Sequence, residues 1–424
     1  MESTSASGRI QEGYPMSDMS GKYTIELQQC KKVAVAYSGG LDSALALKLL
    51  PEYYGAEEVL AVTCNVGLTE EELADAKMKA ELCNVPWTLI DAEEEFVNDF
   101  ITRAIYANSN YEGYPVATSM TRQLIARRVA EWAVAQGCDA ICEGSTGKGN
   151  DQYRMANVFG MFAPDLKVIV PVRDFNFTRQ EEKVLSGEYG LPYNPGIGDD
   201  RTMWCRSIGS GEVDNLQMRI AQEDYLWWRY PENAPDKPTE IEIEFVEGLP
   251  VRVSSEAETV TGLGPIIHWL NRVGGENAIG KIDMFEDGMI GLKSREAYEA
   301  PAATIILGLH KDMEQLCLTK EQIQFKPQVE RQWAYMVYHG GWFHPVTQDC
   351  AAFCQSSQWA VNGVYRVLLY KGNIDIIGRR SSTGLFAPEL RSLATAGWDQ
   401  RESGPATKIH GMQYKILARR GLKL

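Results

Sequence analysis

The 424-residue sequence has no uninterrupted apolar run near the roughly 20 residues that a membrane-spanning helix needs. Residues 1–20 are rich in Ser, Gly and Met without an apolar signal core, so they read as a loose extension and not an export signal. Nine cysteines are spread from Cys30 to Cys354 with no CxxC; the pairs Cys138/Cys142 and Cys350/Cys354 are spaced four apart. That pattern excludes a disulfide frame and a zinc finger, and points to reduced thiols in a cytoplasmic protein. The five histidines show no HExxH spacing, so no metal ligand is assigned to the protein itself. Lys and Arg number 42 against 57 Asp and Glu, for a formal charge of -15, and they cluster only in residues 415–423. An extended nucleic-acid groove is therefore not expected; small-molecule substrates are.

What is present is an alternation. KKVAVAY, EEVLAVTCNVG, PWTLIDA, DAICEG and LKVIVPV are short apolar segments separated by amphipathic helical stretches. The alternation predicts an α/β fold with a doubly wound parallel sheet, with ligands at the carboxyl ends of the strands. At LPYNPGIGDDR the texture changes to Gly, Pro and Asp, which places a boundary between residues 193 and 194. Beyond it, EIEIEFVEGLPVRV and VYRVLLYKGNIDIIG alternate around short turns, predicting antiparallel hairpins in a second, α+β domain. The expected organisation is an extension over 1–29, a nucleotide-binding domain over 30–193, a second domain over 194–393 and a helical arm over 394–424.

Two loops carry chemistry. SGGLDS, residues 38–43, lies between the first strand and its helix, where two glycines admit an anion to the backbone amides at a helix N-terminus. It lacks the lysine of a GxxxxGK[ST] loop. The second, GSTGKGNDQYR at residues 144–154, follows DAICE at the same sheet edge. It joins three glycines to a lysine, an arginine and polar groups suited to an ammonium and a carboxylate.

AYSGGLDS resembles the pyrophosphate loop of the ATP pyrophosphatases, which have an adenine nucleotide alpha hydrolase-like sheet. The second loop is similar to the GxTGKGNDQxR segment of the argininosuccinate synthetase family, and the likeness continues through YEGYPVATSMTRQLIARR, RSIGSGEVDN and KIDMFEDGMIGLKSREAYEAPAATIIL. The resemblance implies ATP binding by Ala36, Tyr37, Ser38, Gly39, Gly40, Leu41, Asp42, Ser43, Cys64, Cys142 and Gly144. It implies aspartate binding by Thr146, Asn150 and Asp151, and acceptor binding by Tyr111, Ser119, Arg154, Ser207, Glu286 and Tyr298. Asp42, Lys148 and Asp151 are the residues expected to organise phosphate, metal and donor during catalysis. ATP with Mg2+, aspartate and a citrulline-like acceptor are the implied small molecules, and a homotetramer the implied assembly.

The family's SxDENLW segment aligns with GDDRTMW, so its serine is replaced by Gly198 and its glutamate by Arg201. These two positions are the specificity candidates. The reaction expected is adenylation of citrulline by ATP with release of pyrophosphate, then joining of aspartate with loss of AMP. The same chemistry on another ureido, amide or carboxyl acceptor is the alternative, and a tRNA-modifying enzyme of the same superfamily a second one.

Overall fold

A computed structural model describes residues 26–192, 199–209 and 211–421. Gly198, one of the two specificity candidates, lies outside them. Five parallel strands, β1 (Lys32–Ala36), β2 (Glu58–Asn65), β3 (Trp87–Asp91), β4 (Ala140–Cys142) and β5 (Lys167–Ile169), lie in the order β3-β2-β1-β4-β5. Both faces are covered. Val33 and Val35 pack with Leu45 and Leu49 on one face, while Ala34, Val62 and Ile141 pack with Val129 and Phe159 on the other. This is the doubly wound sheet expected from the alternation. The order reverses at β1, so the loops after β1 and β4 border one crevice, the place where such sheets take ligands.

The helix Glu70–Leu82 shows how locally its start is coded. The Thr69 side chain accepts from the Glu72 amide, the Glu72 carboxylate accepts from the Thr69 amide, and three acidic residues occupy the first turn. Thr178 with Glu181 and Thr319 with Gln322 repeat the arrangement at the helices Arg179–Glu188 and Lys320–Tyr338.

The second half builds two antiparallel sheets. β6 (Asp199–Arg201), β7 (Arg206–Ile208), β11 (Lys281–Asp287) and β12 (Lys293–Glu299) form one in the order β11-β12-β7-β6. β8 (Thr239–Val246), β9 (Leu249–Ser255), β10 (Thr259–Thr261), β13 (Gly363–Tyr370) and β14 (Asn373–Arg380) form the other, in the order β10-β9-β8-β13-β14. The expected hairpins are β8/β9 and β13/β14. Their turns, Glu247-Gly248 and Lys371-Gly372, have positive φ at both residues, the twist that two-residue hairpins require.

Residues 1–383 form one compact unit and residues 384–424 another. Within the first, long helices such as Pro301–Cys317 and Lys320–Tyr338 bring a buried cluster together. Lys326 lies 2.9 Å from Glu314 and 2.6 Å from Glu330 and donates to the Tyr106 carbonyl, while the Asn108 amide donates to both carboxylates. The helical arm that the sequence predicts over 394–424 falls in the second unit. Among the described residues its α-helices are Pro388–Arg391, Ser403–His410 and Met412–Arg419, the last two of eight residues each and separated at Gly411, a poor helix former.

Candidate functional site

The crevice holds a cavity of about 470 Å3 that opens beside a second of about 580 Å3. Asp42, Arg122, Ser145, Asp151, Arg179 and Asp200 line both, so the two halves share one wall.

The first half is built on residues 38–43. Gly39 has φ +76°, and a Cβ there would lie 2.8 Å from Ala76 Cα, so glycine is required twice over. The buried Lys79 ammonium donates to the Gly39 carbonyl at 3.0 Å, and the Tyr37 hydroxyl donates to the Ala76 carbonyl at 3.0 Å. Both contacts tie the loop to the helix Glu70–Leu82. Inside the loop, Ser43 Oγ donates to the Gly40 carbonyl at 3.1 Å and lies 3.2 Å from Ser38 Oγ. Asp42, in the first turn of the helix Leu41–Tyr53, is paired with Arg179. Gly144 closes in from β4; a Cβ there would lie 3.0 Å from the Ser43 amide nitrogen.

Of the positions that the resemblance assigns to ATP, Ala36, Tyr37, Ser38, Gly40, Leu41, Asp42, Ser43, Cys64 and Gly144 line this half. Gly39 and Cys142 do not; they support it from behind. Burial pushes the Cys64 thiol up to about 12, so it is a neutral apolar wall and not a nucleophile. Arg201 also lies in this half. It pairs with Glu72 and touches the Thr69 hydroxyl at 3.4 Å, and it does not line the second cavity.

The second half centres on Asp151, the first residue of the helix Asp151–Phe162. Burial pushes its carboxyl up, but the guanidiniums of Arg122 (Nε, 2.8 Å) and Arg154 (Nη1, 2.8 Å) hold it below the usual carboxylate range. Arg122, one turn along the helix Thr118–Ala135, also pairs with Asp200 of β6 and so joins the two sheets. Next to Asp151, the Asn150 amide makes one bond through each of its polar atoms. Its oxygen accepts from the Met289 amide at 2.9 Å and its nitrogen donates to the Tyr338 hydroxyl at 3.1 Å. Thr146 and Lys148 line the same cavity, with no side-chain partner for either among the described residues.

Across the cavity stand Ser207 of β7, Glu286 of β11 and Tyr298 of β12, together with Arg154. The cross-strand pair Ser207 and Tyr298 is in register, and Tyr298 donates to Glu286 Oε2 at 2.7 Å. Tyr111 reaches the Asp287 carbonyl at 3.0 Å and stacks on Tyr338 with ring centroids 3.8 Å apart, but it does not line the cavity. Ser119 is fully buried behind the wall, its hydroxyl without a hydrogen-bond partner among the described residues.

Sequence reasoning missed Arg122, Arg179, Asp200, Tyr338 and Glu296, all of which line the second cavity. Arg122 alone has a local signal, since it lies four residues after Thr118, which lines the same cavity, and therefore on one helix face with it.

A parallel sheet with a glycine loop at its switch point, facing a cavity of basic and acidic side chains, fits the class of nucleotide-dependent α/β enzymes. Residues 32–192 match the Arginosuccinate synthase N-terminal HUP domain, and residues 198–417 match the Arginosuccinate synthase C-terminal domain. The argininosuccinate synthase of Methanopyrus kandleri is 40% identical over 394 residues, covering 92% of this chain and 99% of that protein. That of Methanocaldococcus jannaschii is 42% identical over 391 residues, with 90% and 97% covered. The chain belongs to the argininosuccinate synthase family, a family of ATP-dependent ligases.

Proposed function

We propose that the chain joins citrulline to aspartate at the expense of ATP. The observation that carries this reading is the shared wall. A nucleotide seated on residues 38–43 and an acceptor seated between Arg154 and Glu286 meet at Asp42, Arg122 and Asp151 without leaving one continuous cleft.

In the first step the ureido oxygen of the acceptor attacks the α-phosphorus of ATP, and pyrophosphate departs toward the amides of residues 38–43 at a helix N-terminus. In the second, the amine of aspartate adds to the activated carbon, loses its proton and expels AMP, leaving a new C–N bond. Thr146 and Lys148, with their side chains uncommitted, are placed to take the carboxylates of the donor. Asn150 and Asp151, both already engaged, hold the rest of the loop in place. No covalent enzyme intermediate is required, so the side chains position substrates and stabilise charge.

Among the described residues no group of three His, Cys, Asp or Glu side chains is arranged to hold a metal. Mg2+ therefore fits as the counter-ion carried by the phosphates of ATP, where it would shield their charge, with Asp42 the loop carboxylate at hand. The nine cysteines are all free, which suits a reducing cytoplasm. Ile409, Met412 and Ile416 of the second unit are exposed, which suits an arm that packs on another subunit of a homotetramer.

The test is pyrophosphate release with ATP, Mg2+, aspartate and citrulline, with the condensed product identified by mass. Release that needs both amino acids is the expected result. Release that is indifferent to aspartate, or absent with citrulline, would remove the reading.

A further inference from the structure

Three guanidiniums line the first half of the cleft, and they are held very differently. Arg122 lies between Asp151 and Asp200, and Arg201 is paired with Glu72 beside the Thr69 hydroxyl; their side chains are 25% and 20% exposed. Arg179, the first residue of the helix Arg179–Glu188, has a side chain 54% exposed and lines both cavities. Its Nη1 donates to Asp42, its Nη2 reaches the other Asp42 oxygen only at 3.4 Å, and its Nε makes no bond among the described residues. The same Nη1 lies 2.6 Å from Glu182 Oε2, yet that buried oxygen accepts no hydrogen bond among the described residues. One cation therefore serves two carboxylates, and Glu182 is the one left short. Burial, then the charge of Asp42, raises its carboxyl to about 7, with Arg179 opposing. Asp42 is a residue of the loop on which the reading above seats pyrophosphate, so Arg179 is a cation already fastened at the edge of that seat.

We propose that Arg179 is a further catalytic residue of the adenylation step, turning from Asp42 onto the outer phosphates of ATP and taking the charge of the departing pyrophosphate. This rests on the ligase reading above. In that step the bond from the acceptor oxygen to the α-phosphorus forms as the bond from the α-phosphorus to the bridging oxygen breaks. The electron pair of the broken bond leaves with pyrophosphate, so negative charge grows on the leaving group. A guanidinium fork that meets two phosphate oxygens at once stabilises that charge more than it stabilises bound ATP. A polyphosphate carries several negative charges against the one on Asp42, so it wins the guanidinium. Asp42 is then left to the Mg2+ that the phosphates carry. Arg122 and Arg201 are less suited to the exchange, because each is less exposed and holds a carboxylate that ties one element to another.

The experiment uses the full-length wild type, Arg179→Ala and Arg179→Lys, and reads binding and turnover separately. Isothermal titration with inorganic pyrophosphate and Mg2+, and in parallel with AMP, measures the contact itself. Loss of a charge-assisted bond should weaken pyrophosphate binding by about 10- to 100-fold in Arg179→Ala and leave AMP unchanged, because AMP lacks the outer phosphates. With ATP, citrulline and aspartate, the single-turnover rate of pyrophosphate formation should fall by at least about tenfold, while the KM values of citrulline and aspartate stay as they are. Arg179→Lys keeps the charge without the fork and should recover part of both losses. An Arg179→Ala variant that binds pyrophosphate as wild type does, or that loses pyrophosphate and AMP equally, overturns the assignment, the second result marking a residue that only holds the loop in shape. Weakened pyrophosphate binding with an unchanged single-turnover rate overturns the catalytic role. A wild type that binds pyrophosphate through Arg179 yet joins no citrulline to aspartate removes the ligase reading and leaves the phosphate contact standing.

Discussion

Tyr338 donates its hydroxyl to Glu286 across 2.6 Å, joining the end of the helix Lys320–Tyr338 to strand β11 at one buried carboxylate. The same hydroxyl accepts from Asn150, and the ring stacks on Tyr111 and lies under the Arg154 guanidinium at 4.7 Å. Tyr338→Phe keeps the stacking and leaves both polar partners short of a bond. It should lower kcat/KM for the acceptor by roughly 10- to 100-fold, with a stability loss of about 1–3 kcal/mol. Steady-state kinetics and chemical denaturation read the two effects separately.

Gly39→Ala combines a left-handed backbone with a contact on Ala76 backbone that has nowhere to move. The loop must shift as a unit, so the KM of ATP should rise by at least about tenfold, while the acceptor, on the far side of the shared wall, is bound as before. Isothermal titration with a non-hydrolysable nucleotide measures this directly.

Asp151 is held ionised by Arg122 and Arg154, with its folded pKa below the unfolded one. Its stabilising pairing is thus fully present above the unfolded value and is lost as pH falls through the lower, folded value. Activity should stay on a plateau through mildly acidic pH as far as this group is concerned. Asp151→Asn should raise the KM of aspartate and leave Arg122 with Asp200 alone. A variant with unchanged aspartate KM would count against the place given to this residue.

Lys326→Met leaves the buried Glu314 and the half-buried Glu330 beside each other without their shared cation. Removing one partner of a buried ion cluster costs about 3–5 kcal/mol, so the melting temperature should drop by many degrees. Replacing Lys326, Glu314 and Glu330 together by apolar residues should recover a large part of that loss.

Arg201→Ala should alter the KM of ATP and leave the preference among acceptors unchanged, because the side chain lies with Glu72 in the first half of the cleft. A competition assay between citrulline and other ureides provides the check.

The first sheet is legible in the sequence because each strand is a short apolar segment followed by an amphipathic helix, a pattern that codes locally. The same holds for the two hairpin turns, where Gly248 and Gly372 mark the reversal. The cavity's second half is less so. Arg122, Asp200, Glu296 and Tyr338 come from separate elements far apart in the chain, and nothing near any one of them announces the others. The change at Arg201 draws the eye toward acceptor choice, yet the fold delivers that side chain to Glu72. A residue's neighbours along the chain say what it is made to do only when its function is executed by those neighbours.

The helix Glu70–Leu82 grips Gly39 through Lys79 at one end and Arg201 through Glu72 at the other. It works as a strut between residues 38–43 and strand β6, whose Asp200 pairs with Arg122. One helix thus braces the two halves of the cleft against each other, and a substitution that loosens either grip reaches both.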